Sequence, residues 1–167
     1  GHSSAEGRVT PRCPCGSGDS LDACCQPYID GEIHAPTAER LMRTRYTAYA
    51  RGEIDYIVKS HDPERRLPAL RESAATWAAS ATFKKLEVLD TEAGGETDDR
   101  GMVEFRATYL EGGEERTLHE RSTFIRRRGR WFYAKGITPS QQQQVRTMLS
   151  TSLMAVVSQA LGLTICW

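Results

Sequence analysis

The run MVEFRATYLEGGEERTLHERSTFIRRRGRWFYAK, Met102 to Lys135, decides the fold. In its first part Val103, Phe105, Ala107 and Tyr109 share one face, and Glu104, Arg106 and Thr108 share the other. That period of two marks a half-buried strand. Thr117 to Arg127 and Trp131 to Lys135 repeat the pattern, and Gly112-Gly113 and Arg128-Gly129 between them are hairpin turns. Upstream, Phe83 to Leu89 reads as a further strand, joined to the meander by the polar stretch Thr91 to Gly101.

N-terminal to the strands the period is helical. Thr37 caps a helix carrying Ala38, Leu41, Met42, Arg45/Tyr46 and Tyr49, and Gly52 breaks it before a short helix, Ile54 to Val58. Pro63 and Pro68 punctuate a loop, and Arg71 to Ala81 forms a third helix around Trp77. Helices followed by antiparallel strands give an α+β fold, the helices packed on one face of a curved sheet. After Thr138, Val145, Leu149, Leu153, Val156/Val157 and Ala160 recur at helical spacing, which predicts an amphipathic tail.

The chain has 167 residues, enough for one domain of about 120 residues with small appendages and too few for two large domains. Lys+Arg and Asp+Glu each number 22, so no global field of one sign selects nucleic acid or an anionic membrane. Gly1-His2 reads as the scar of a cleaved expression tag, and residues 1–12 as a flexible N-terminus. Val145 to Cys166 contains Arg146, Gln159 and Gly162 and falls short of the roughly 18 apolar residues a membrane span needs. A cytoplasmic protein is expected, because five cysteines are an odd number and nothing else supports an oxidising compartment.

Four of those cysteines lie between Cys13 and Cys25. Cys13-x-Cys15 and Cys24-Cys25 offer four soft ligands in two close pairs, which suits tetrahedral Zn²⁺; free thiols and an iron–sulfur cluster are the alternatives. Gly16 and Gly18 let the backbone fold back toward the thiolates. Four thiolates around Zn²⁺ carry two net negative charges, which Arg12 and Arg8 are placed to offset. Residues 13–30 form a knuckle expected to be an appendage ordered by its ion, with the strands beyond Phe83 standing without it.

Cys13-Pro14-Cys15-Gly16-Ser17-Gly18 with Cys24-Cys25 resembles the SEC-C zinc motif. Leu41 to Tyr46, His119 to Phe124 and Gly129 to Tyr133 are similar to the bacterial YchJ-like proteins, in which a SEC-C motif precedes an NTF2-like domain. The resemblance covers residues 13–136. It implies zinc on Cys13, Cys15, Cys24 and Cys25 and an NTF2-like cone over residues 31–137, followed by the tail, 138–167. Two departures stand out: Ser60-His61-Asp62-Pro63 lacks the aromatic that often precedes the histidine, and residues 138–167 carry no second SEC-C motif, leaving Cys166 alone.

An NTF2-like cone often encloses a pocket, so the side chains decide its use. Leu118, Glu120, Ser122 and Phe124 share a strand face, placing a carboxylate among apolar neighbours where desolvation raises its pKa. The plainer reading pairs Glu120 with Arg43 or Arg45. His61, Trp77 and Tyr109 complete the pocket candidates, although His61 before Asp-Pro suits a turn; His119 falls on the face opposite Glu120, so no dyad is visible. Cys166 has no neighbour that activates a thiol, Ser17 lacks a nucleophile-elbow context, and neither a phosphate loop nor HExxH is present. Arg126-Arg127-Arg128 with Arg130, beside Trp131 and Phe132, suits a solvated turn better than an RNA contact.

The preferred expectation is a zinc-binding adaptor whose partner is another protein, by analogy with SEC-C elements; the alternative is a small-molecule enzyme or binder with Glu120 as acid/base. RNA is a weaker partner, a membrane is not expected, and the tail suits a homodimer. Truncation after Gly136 should lower the mass in solution or expose apolar surface, read by light scattering and dye binding. An unchanged mass and melting temperature would make the tail an ornament.

Overall fold

The computed structural model describes residues 10–160, with side chains through residue 151. The expectations for Arg8, for the first nine residues, for Cys166 and for the apolar side chains from Leu153 onward lie outside the described residues. After a 3₁₀ turn at Leu21–Ala23 come α1 (Gln26–Ile29), α2 (Ala38–Arg51), α3 (Ile54–Ser60), a second 3₁₀ turn (Pro63–Arg65) and α4 (Leu70–Ser80). Strands β1 (Ala81–Ala93), β2 (Arg100–Glu111), β3 (Glu114–Arg127) and β4 (Arg130–Ile137) form one sheet in that order, and α5 covers Pro139–Ala160. Backbone proximity divides the chain into two units, 1–136 and 137–167.

The meander forms as its pattern predicts. β2 and β3 pair antiparallel with Val103 opposite Ser122, Phe105 opposite Glu120 and Ala107 opposite Leu118, and the register closes at Glu111 and Glu114. Gly112 and Gly113 adopt φ of 60° and 80°, the left-handed pair a two-residue hairpin requires. β1 runs longer than the Phe83–Leu89 expected, pairing with β2 to Ala93. Its far half is exposed on both faces, so it carries no alternation to read. Register shifts between Phe83 and Lys85 and between Val88 and Asp90 also break the period while keeping Phe83, Leu86 and Val88 on the core.

Helix α2 organises the layer above the sheet. The Thr37 side chain accepts from the Arg40 amide at 3.1 Å, and Gly52 ends the helix in the left-handed region with φ 71°. Leu41, Met42 and Tyr46 are buried against Val103, Phe105, Phe124 and Trp131. Phe124 and Val103 are fully buried, each contributing about 1.5–3 kcal/mol of apolar transfer energy. On α5, a unit of its own, Val145, Met148 and Leu149 are exposed. No helix among the described residues is long and apolar enough to cross a membrane.

The loop after α3 is fastened to the sheet by a carboxylate. Asp62, fully buried, accepts from the Glu64 amide at 3.2 Å and from Arg127 Nε and Nη2 at 3.0 and 3.3 Å, with Arg65 3.3 Å away. Its own amide donates to the Tyr133 carbonyl at 2.8 Å. Burial pushes the carboxyl pKa up, but the Arg127 and Glu64 hydrogen bonds and the two guanidinium charges outweigh it and leave the pKa below its ordinary value. A depressed folded-state pKa stabilises the fold above the ordinary value of 3.8 and loses that contribution as pH falls through the folded value. Asp62→Asn should therefore cost about 1–3 kcal/mol in urea unfolding at neutral pH, and the gap to the parent should close as pH falls through the depressed folded-state value. A gap independent of pH would place its cause elsewhere.

Candidate metal centre and ligand cavity

Cys13, Cys15, Cys24 and Cys25 are buried, and one sulfur from each lies within 4.8 Å of all the others. The glycine-rich turn brings the first pair round: the Cys13 amide donates to the Asp19 carbonyl at 2.8 Å and the Gly16 amide to the Cys13 carbonyl at 3.3 Å. The Cys15–Cys24 and Cys24–Cys25 sulfur separations are 3.6 and 3.9 Å. Sulfurs placed tetrahedrally about 2.3 Å from a metal stand about 3.8 Å apart, so the cluster fits a four-thiolate metal site. Hydrogen bonding with Cys25 pulls the Cys15 thiol down to about 4, and the same contact pushes the Cys25 thiol up. Four sulfurs this close ionise together only around a cation.

The charge of that cluster meets α2. Arg40 Nη1 donates to Cys24 Sγ at 3.3 Å, Arg43 Nη1 donates to the Cys15 carbonyl at 2.8 Å, and Cys13 Sγ lies 3.6 Å from Thr47 Oγ1. The offset expected from Arg12 is thus supplied by Arg40; Arg12 is exposed and pairs through its backbone with Ser20. An arginine on a rigid helix can hold its guanidinium on a sulfur, whereas one flanking the turn points to water. The knuckle is correspondingly not a free appendage, because its ligand residues are hydrogen-bonded to the domain's central helix.

On the opposite face of α2 lies a cavity of about 280 Å³. Tyr46, Tyr49, Trp77, Phe83 and Phe105 form apolar walls, and Arg45, His61, Glu120, Ser122 and Tyr133 supply its polar groups. The aromatic walls brace one another edge to face, Trp77 standing 5.0 Å from both Tyr49 and Phe83. Glu120 Oε1 accepts from Ser122 Oγ at 2.8 Å and from the Tyr133 hydroxyl at 3.0 Å. Arg45, buried, donates through Nη1 to the Ile57 carbonyl at 2.9 Å and to Ser60 Oγ at 2.6 Å. Its guanidinium carbon lies 4.6 Å from the centre of the Tyr133 ring. Burial and the Arg45 charge push the His61 imidazole below its ordinary pKa, which keeps it neutral at pH 7.

Residues 37–136 match the family described as YchJ_M-like, the YchJ middle NTF2-like domain. The chain belongs to the YchJ family. A UPF0225 protein of Geobacter sulfurreducens is 40% identical over 141 residues, which is 84% of this chain and 88% of that one. A UPF0225 protein of Corynebacterium efficiens is 44% identical over 125 residues, 75% of this chain and 92% of its own. The solution structure of a SEC-C motif containing protein from Rhodopseudomonas palustris, 41% identical, matches with a TM-score of 0.68 over 75% of this chain and 97% of that one. A crystal structure of a SEC-C motif containing protein from Psychrobacter arcticus, 30% identical, gives 0.61 over 77% and 81%.

Within the YchJ domain, four of the sequence-selected side chains, Glu120, Ser122, His61 and Trp77, meet at the cavity. Tyr109 does not line it: one strand step beyond Ala107, it packs behind the wall, 5.6 Å from Trp77 and 5.9 Å from Phe83. The ion pair expected between Glu120 and Arg43 or Arg45 is absent among the described residues, since Arg43 turns to the knuckle and Arg45 to the end of α3. His119 faces Glu104 at 3.4 Å, on the side away from Glu120 as its alternation requires. Of the basic run, Arg127 bonds Asp62 and Glu64, and Arg126 bonds Asp99 and the Glu96 carbonyl.

Sequence reading missed Arg45 as a cavity group, although an arginine amid Leu41, Met42 and Tyr46 on an apolar face is a visible signal. It also missed Gly136. A Cβ at Gly136 would overlap the Glu120 carboxylate, so the missing side chain is what seats that group. Gly136→Ala should therefore break the bonds to Ser122 and Tyr133 and cost about 1–3 kcal/mol in chemical unfolding, as should Glu120→Gln. In a Glu120→Ala background the Gly136→Ala cost should nearly vanish. Additive costs would refute the coupling.

Proposed function

We propose that this YchJ-family chain is a zinc-stabilised domain that binds a small molecule in its cone. The observation that carries the reading is the cavity, which combines aromatic walls with a carboxylate that makes no ion pair among the described residues. Ligand sites typically measure roughly 300–1,000 Å³ and join apolar walls to a few placed polar groups; this one, at about 280 Å³, sits at the small end. Zinc is the metal proposed for the four cysteines, because a tetrahedral all-thiolate set suits it and closes its coordination. When bound it supplies structure and charge, and the closed sphere leaves no position for water or substrate.

Two observations favour this over the adaptor role anticipated from the motif. The exposed basic face such a contact would use is reduced, since Arg126 and Arg127 are engaged within the domain. The cone, on the other hand, has room inside it. Binding is preferred to turnover because Glu120 is bonded by a serine and by a tyrosine whose hydroxyl burial pushes above its ordinary pKa, and His61 makes no hydrogen bond to it among the described residues. Metal analysis of protein purified under reducing conditions should return one zinc per chain. A neutral solvatochromic dye, a 6-acyl-2-dimethylaminonaphthalene, should bind the parent protein and lose binding in Ala107→Phe, which fills the cavity from β2. Dye binding unaffected by that substitution, or absent throughout, would overturn the binding reading.

A further inference from the structure

The cavity holds two charged groups that do not satisfy one another. Glu120 receives both of its hydrogen bonds on Oε1, and Oε2 has no protein donor among the described residues. Arg45 makes both of its bonds through Nη1, and Nε and Nη2 have no protein acceptor there. Tyr133 separates the two, its ring under the guanidinium and its hydroxyl on the carboxylate. Both groups line the cavity, so their unused atoms are open to whatever fills it, and a ligand that displaces water from them must replace its hydrogen bonds. The sequence could have satisfied them cheaply by direct pairing, yet the helix directs Arg45 to Ile57 and Ser60 instead.

Resting on the small-molecule reading above, we propose that the cone selects an uncharged ligand with a flat apolar body and an amide-type edge. The N–H of that edge donates to Glu120 Oε2, and its carbonyl accepts from the unused N–H groups of Arg45. Charge decides between classes. The Arg45 and Glu120 charges cancel, so an anionic ligand brings an unbalanced charge to the carboxylate and a cationic ligand brings one to the guanidinium. A neutral donor–acceptor edge satisfies both groups at once, and a purely apolar molecule satisfies neither. Trp77, Phe83 and Phe105 offer ring surfaces for the flat body, and the volume limits it to about one ring system. Carboxamides, lactams and imides of that size are the class.

Four probes of nearly one shape test this: benzamide, benzoate, benzylamine and ethylbenzene, measured on the full chain by displacement of the cavity dye and by calorimetry. Benzamide should bind at least tenfold more tightly than each of the other three. In Glu120→Gln, checked for an unchanged near-ultraviolet circular dichroism spectrum, the cavity gains a net positive charge and benzoate should become the best of the four. Equal or tighter binding of benzoate, benzylamine or ethylbenzene by the parent protein would overturn the ligand class, and that series needs no variant to fold. An order unchanged in folded Glu120→Gln would overturn it too. If the dye binds and responds to Ala107→Phe while no probe binds, the class falls and the binding reading stands; if the dye also fails, both fall.

Discussion

One helix serves two sites through opposite faces, and the rest of the domain is arranged around that fact. On α2, Arg40, Arg43 and Thr47 are spaced at i, i+3 and i+7, and they reach the cysteine knuckle. Met42, Arg45, Tyr46 and Tyr49, spaced at i, i+3, i+4 and i+7, line the cavity. At 3.6 residues per turn the two sets fall on opposite sides of the cylinder. A 14-residue helix is marginal alone in water, so α2 owes its order to packing on both sides. The sheet holds one face through Leu86, Phe105 and Phe124, and the knuckle holds the other.

That arrangement explains where the charges sit. An arginine beside a four-thiolate centre lowers the cost of concentrating negative charge near buried residues, and Arg40 is so placed. Arg45, five residues on, is buried without a carboxylate partner and is held by a helix-end carbonyl, a serine hydroxyl and the face of Tyr133. Each of those contacts is weaker than a buried ion pair, but none of them quenches the charge. Asp62 shows the other solution in the same domain: enclosed by Arg127 and Arg65, it is a fastening and nothing more.

Period and turn chemistry made the architecture legible. The β2–β4 hairpins, the Thr37 cap and the Gly52 stop are local signals, and each acts where it is written. The cysteine knuckle was equally plain, since four soft ligands in thirteen residues have few other uses. What could not be read was anything set by packing across distance. The outer half of β1 is an edge exposed on both faces, and its two bulges shift the register, so no alternation announced it. Glu120 was found because its strand neighbours are apolar, but its partners depended on the direction Arg45 takes and on the missing side chain of Gly136, 16 residues away in sequence.

The same reasoning separates what the two sites demand of the chain. The knuckle needs only four sulfurs converging on a cation, and a short turn rich in glycine achieves that with little core of its own. The cavity needs the reverse: a rigid frame that prevents collapse of its aromatic walls and keeps Arg45 from reaching Glu120. Edge-to-face packing of Trp77 against Tyr49 and Phe83 holds the walls apart, and Tyr133 stands between the charges. Because α2 carries the knuckle contacts on its back, the cysteine cluster braces the helix whose front supplies four of the cavity's side chains. An ion held by the four cysteines would therefore bear on the cavity through rigidity alone, since none of those cysteines lines it.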